Sequence, residues 1–157
     1  MGTRSLTRIF ETYKDEKKNK QVKIQLVNMY RQYDGYPSGH GTELADFLKV
    51  GKVVNGIGSR DEKQILFNGG GCLAAQMIAH FKDGAGGIYI EPITAKDCGQ
   101  EYEYEVIVNF DTKVLTMKCF ENGYINKKGE YKSGKKLLFE GKPADFEQFV
   151  AELAENV

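Results

Sequence analysis

The chain has 157 residues, 41% of them hydrophobic, with 22 Lys and Arg balancing 22 Asp and Glu. That length suits a single domain with a sizeable core, and the balanced charge creates no global field to draw nucleic acid or an anionic membrane, so any anion site must be local. No apolar run approaches the ~20 residues of a membrane span and no basic-then-apolar leader opens the chain, so a cytoplasmic protein is expected. Cys72, Cys98 and Cys119 are widely spaced, with only His40 and His80 to join them. This argues against structural zinc and a disulfide framework, and no cofactor or metal is expected.

In chain order, Thr3 to Tyr13 reads as a first strand with Leu6, Ile9 and Phe10 as its apolar residues. The charged run Lys14 to Lys20 reads as a solvated turn, and Val22 to Tyr33 as a second strand, together an antiparallel hairpin. Tyr30 to Gly41 follows, dense in turn residues (Asp34-Gly35, Pro37-Ser38-Gly39) that tolerate unusual backbone geometry or close approach. Thr42 to Val50 carries an amphipathic stripe and ends at Gly51, as a capped helix does. Val53 to Arg60 reads as a glycine-rich loop and Ile65 to Phe67 as a short strand or buried turn. A second helix is predicted from Cys72 to Lys82, entered through Gly69-Gly70-Gly71.

Ile88 to Ile93, Tyr102 to Asn109 and Lys113 to Phe120 read as strands. In the second of these Tyr102, Tyr104, Val106 and Val108 share one face, and Glu103 and Glu105 on the other read as solvent-exposed. Glu121 to Lys136 reads as turns or a mobile hairpin, with an edge strand over Leu137 to Glu140. Pro143 to Asn156 reads as a final helix, with Asp145 and Gln148 at capping-box spacing and a stripe of Phe146, Phe149, Val150 and Leu153. The predicted class is α+β: a single domain with a mainly antiparallel sheet and about three helices packed on it.

Two stretches carry candidate chemistry. The amides of Gly69, Gly70 and Gly71 ahead of a helix could cradle a phosphate or carboxylate, although no P-loop or dinucleotide fingerprint accompanies them, and tight helix packing is the alternative. Arg4, Arg31 and Arg60 adjoin loop segments. Pairing of the first two strands brings Arg4 and Arg31 to one end of the sheet, where they could fork onto an anion or pair with carboxylates such as Asp34. Tyr33 or Tyr36 could stack a ring, while Asp34, Ser38 and His40 supply polar groups in the same loop. Ser38 beside His40 and Asp34 does not make a triad, because the three are too close in one loop. Cys72 at a helix start is the better nucleophile on paper.

Met1-Gly2-Thr3-Arg4-Ser5, together with Asp34-Gly35-Tyr36-Pro37-Ser38-Gly39-His40-Gly41, resembles a family of small phage and bacterial proteins. Members begin Met-Gly-Thr-Arg and carry Asp-Gly-Tyr-Pro-x-Gly-x-Gly after an extended segment. The likeness covers the first half of the chain, and Tyr33 stands where several relatives have Trp or Phe. It implies a viral or bacterial setting, in the host cytoplasm if phage-encoded, and no mechanism. The expected function is non-catalytic binding of a small anionic, nucleotide-like ligand by Arg4, Arg31, Tyr33, Asp34, Tyr36, Ser38, His40 and Gly69 to Gly71. By analogy of setting, this would be a phage sponge that sequesters a host immune nucleotide signal, for which a homo-oligomer is expected. The alternatives are a small hydrolase acting on a nucleotide-like substrate through Cys72 or His40, and a module that grips a host protein.

Overall fold

The computed structural model describes residues 2–58 and 63–155. It is α+β, as the pattern predicts. Strands β1 (Ser5–Asp15), β2 (Lys20–Arg31), β5 (Ile88–Ile90), β6 (Tyr102–Asn109), β7 (Leu115–Ile125) and β8 (Tyr131–Gly141) form one sheet in the order β5-β2-β1-β6-β7-β8. All neighbours run antiparallel except β1 and β6, which pair in parallel at the centre of the sheet, Ser5 opposite Tyr102 and Thr12 opposite Asn109. A separate two-stranded parallel ribbon joins β3 (Gly51–Val54) to β4 (Ile65–Asn68). The helices are α1 (Thr42–Lys49), α2 (Gly69–Phe81) and α3 (Phe146–Glu155).

One sheet face makes the core. Thr7 and Ile9 of β1, Met29 of β2, Tyr104, Val106 and Val108 of β6, and Met117 and Cys119 of β7 are all fully buried. The period-2 alternation of β6 puts its apolar residues on this face. Leu44 and Leu48 of α1, Leu73 and Met77 of α2, and Phe146 of α3 pack onto it. Within the α3 stripe only Phe146 is wholly buried, and Leu153 is 39% exposed. Asp145 closes a 3-10 turn ahead of α3, and Gln148 bonds Glu152, so the capping box does not form.

Several boundaries differ from the sequence reading for identifiable reasons. Val53 and Val54 belong to a strand, not a loop, because they pair with Phe67 and Asn68; Gly51 opens that strand, since a Cβ there would strike the Phe67 ring. Arg60 lies outside the described residues. Helix α2 takes the three glycines into its first turn. Of the two readings for residues 121–136, turns or a hairpin, the structure has the hairpin: β7 and β8 pair antiparallel over a long stretch, with pairing irregular between Cys119 and Phe120 and between Asn122 and Tyr124. Among the described residues no helix is long and apolar enough to cross a membrane.

Candidate functional site

The Tyr30 to Gly41 stretch is, first, a device for burying a histidine. Asp34 adopts a positive φ of 58°, and its carbonyl accepts the His40 N–H at 2.7 Å. A Cβ on Gly39 would collide with that same carbonyl. At Gly41 a Cβ would come within 2.8 Å of the Phe146 ring. Pro37 to Gly41 then winds a π-type turn into α1. Tyr104 Oη donates to Gly35 O at 2.7 Å, tying the loop to the central strand β6.

These constraints place His40 in the core with none of its surface exposed. Its Nε2 lies 2.8 Å from Thr7 Oγ1 and its Nδ1 3.0 Å from Arg31 Nη1. Phe81 and Tyr104 meet the ring edge-on, with centroids 4.9 and 5.3 Å away. Burial, and then the Arg31 charge, push its pKa down to about 3. In this position His40 touches no ligand directly and is a poor base at neutral pH, so its part in any site runs through Arg31.

Arg31 is held at three points. Nε donates to Tyr33 O at 2.7 Å, Nη1 meets His40, and Nη1 also pairs with the Glu43 carboxylate. The Glu43 side chain is 52% exposed whereas that of Arg31 is 16% exposed. Beside them opens a cleft of about 490 Å³ lined by Arg31, Tyr33, Glu43, His80, Phe81, Asp83 and the 86–88 turn. Gly86 and Gly87 both have positive φ, 77° and 75°. Lys82 Nζ donates to Gly86 O at 3.0 Å and Ile88 O at 2.8 Å, bracing that turn. Tyr33 is 58% exposed.

Of the residues expected to bind, the structure brings Arg31 and Tyr33 together at this cleft. Asp34, Tyr36 and Ser38 are exposed nearby without lining it, and Tyr36 Oη bonds Asp34 Oδ1 at 3.3 Å. Arg4 reaches the expected end of the sheet, since Ser5 pairs with Arg31. The alternation of β1 turns it to the opposite face, however, where its Nη2 lies 3.7 Å from Glu101 Oε1. The two arginines therefore do not converge on one anion.

The glycine entry to α2 is already supplied with a carboxylate. Glu11 Oε1 accepts the Gly70 N–H at 2.9 Å, and Gly69 and Gly70 are buried. The chain's own anion thus sits at the positive end of the helix, where an external one was expected. Cys72 falls fourth in the helix, not at its start, and its thiol donates to Gln76 Oε1 at 3.1 Å.

Glu43, His80, Phe81, Asp83 and the 86–87 turn escaped the sequence reading, because each belongs to a helix or loop that reaches Arg31 only through tertiary packing. The pair Gly86-Gly87 just before a strand was the one local signal. No protein-family model matches the chain, and no curated protein or solved structure matches it either.

Proposed function

We propose that the protein binds a small, ring-bearing anion of nucleotide type in the Arg31 cleft, and that it does so without chemistry. The observation carrying this reading is the way Arg31 is mounted. It is fixed from behind by His40 and by the Tyr33 carbonyl, while its partner on the open side is an exposed glutamate. With the Glu43 carboxylate half in solvent, a ligand phosphate can take its place on the guanidinium. The exposed Tyr33 ring adjoins the same cleft and offers a stacking surface for a base. Neither the buried, weakly basic His40 nor Cys72, which does not line the cleft, is placed to attack a bound ligand. A role in sequestering a nucleotide signal follows from this reading if the ligand is released unchanged.

The test is to incubate the purified protein with a panel of linear and cyclic nucleotides and to identify what it retains by mass spectrometry. One unchanged nucleotide should be recovered, bound more tightly by Glu43→Gln and more weakly by Tyr33→Ala. The second variant keeps the backbone carbonyl that holds Arg31. If Glu43→Gln leaves the affinity of every nucleotide unaltered, the proposed exchange of carboxylate for phosphate does not occur. A chemically altered nucleotide would replace the binding reading with an enzymatic one.

A further inference from the structure

The sheet face opposite the helices carries a second, separate polar groove. Its floor is built by alternate residues of β1, β6 and β7, which point away from the core. Arg8 and Glu103 form a buried ion pair there, with side chains 9% and 7% exposed. Lys135 Nζ, from β8, stands 3.7 Å from Glu103 Oε1 and 3.6 Å from Glu105 Oε2. Glu103 is held below the usual carboxylate range despite its burial, by bonds to Arg8 and Asn122 and by the two cations.

One wall is the segment between β5 and β6. Asn28 Nδ2 pins it through the carbonyls of Pro92 and Ala95, both at 3.2 Å, and Asn122 Nδ2 donates to Gln100 O at 3.2 Å. The other wall is β8, with Ser133 and Tyr131, the latter 68% exposed. Two adjoining hollows of about 340 and 460 Å³ share Lys96, Glu103 and Lys135. From Gln25 on β2 to Ser133 on β8 the groove crosses four strand spacings, roughly 19 Å.

Charge and hydrogen-bonding capacity select the ligand class. The cations lining the two hollows are Arg4, Arg8, Lys96 and Lys135. Opposing them are Asp97, Glu101, Glu103 and Glu105. A nucleic-acid strand brings phosphates that only accept, and it would meet four carboxylates. A polyamine only donates, and it would meet four cations. A hydroxyl both donates and accepts, so it can sit between a carboxylate and an ammonium and satisfy both. Such charge-assisted bonds are stronger than neutral ones. Exposed Tyr131 at one end adds an apolar surface for the face of a sugar ring, whereas the half-buried Phe10 ring at the other end already lies under the Lys23 ammonium, 4.3 Å from its centroid.

We infer that this groove is a binding site for a neutral polyhydroxylated ligand, an oligosaccharide a few pyranose rings long, held by Lys135, Glu105 and Tyr131 over the Arg8–Glu103 pair. The site is distinct from the Arg31 cleft and does not depend on the function proposed there.

The test is an amide NMR titration of the full chain with maltotriose, cellotriose and N,N′,N″-triacetylchitotriose, with a short single-stranded oligonucleotide and spermidine run in parallel. One sugar should produce saturable shifts in the Lys96, Gln100, Tyr131 and Ser133 amides. Its affinity should fall about tenfold or more in both Glu105→Gln and Tyr131→Ala, a loss of about 1.4 kcal/mol each. Both positions lie off the hydrophobic core, and the folded state of each variant is read from the same spectra. Three results would overturn the inference: no sugar shifts these amides at millimolar concentration, the oligonucleotide or spermidine shifts them more strongly, or the sugar shifts appear only around Tyr33 and residues 83 to 88.

Discussion

Arg31 donates to His40 Nδ1, and because a guanidinium cannot accept, that single bond places the imidazole proton on Nε2 and makes Thr7 Oγ1 its acceptor. A buried, neutral histidine therefore links the first strand, the glycine-rich turn and the end of the second strand.

Acid should weaken the fold through this residue. The His40 pKa is 6.5 in the unfolded reference and is pushed down to about 3 in the fold. Between those values the unfolded chain binds a proton that the native chain refuses, so unfolding free energy rises with pH. The contribution is complete above pH 6.5 and is lost at about 1.4 kcal/mol per unit as pH falls toward 3. Urea unfolding at pH 7, 6 and 5 should show this slope, and His40→Gln should be less stable at pH 7 yet lack that part of it. Equal slopes in the two chains would refute the assignment.

Thr7→Val should cost about 1–3 kcal/mol, because it leaves the His40 Nε2–H buried with no acceptor. Thr7→Ser keeps the hydroxyl and should recover most of that loss. Chemical denaturation of the two variants separates a missing hydrogen bond from a missing methyl group.

Two glycines should respond in opposite directions. Gly39→Ala forces its new methyl against the Asp34 carbonyl and should lower stability by more than about 2 kcal/mol. Gly71 has open space around its Cβ position and no positive φ, in the first turn of α2. Gly71→Ala should therefore raise stability by about 0.5–1 kcal/mol. Thermal melting of both proteins gives the comparison directly.

The Arg8–Glu103 pair should behave as a unit. Glu103→Met alone leaves the buried Arg8 charge unmatched and should cost about 3–5 kcal/mol, whereas Arg8→Met, which leaves Lys135 3.7 Å from Glu103, should cost less. The double variant should recover much of that loss. Purely additive costs in the cycle would mean the two side chains are not coupled.

Strand β6 was legible to the residue, Tyr102 to Asn109, because Tyr102, Tyr104, Val106 and Val108 recur at every second position and the last three are buried. The register of Arg31 beside Ser5 followed from the hairpin, but the face each arginine takes did not, and that is what separated Arg4 from Arg31. Glu103 and Glu105 read as solvated because nothing local shows that Arg8 arrives beside them through a parallel pairing, or that the segment between β5 and β6 walls them in on one side. The glycines at 69 to 71 look unfit for a helix by propensity; Glu11, distant in sequence, supplies the cap that makes the helix begin there. His40 looked available because glycines flank it, whereas each of those glycines is needed to let it inside.

The parallel pairing of β1 with β6 sets an order of assembly. The β1–β2 hairpin is local, but every contact that completes the middle of the sheet joins residues 5–12 to residues 102–109. Contacts across such separations form slowly, because the intervening chain must first be ordered or looped out. When only the first hundred residues have left the ribosome, β1 and β2, α1 and α2 still lack the central strand that they border or pack against in the finished fold. The Tyr104 hydroxyl that ties down Gly35 and the ring that closes over His40 both arrive with β6. Until then the side of the His40 pocket that the Tyr104 ring closes is uncovered. During synthesis, closure of the sheet and burial of His40 are therefore a single late event.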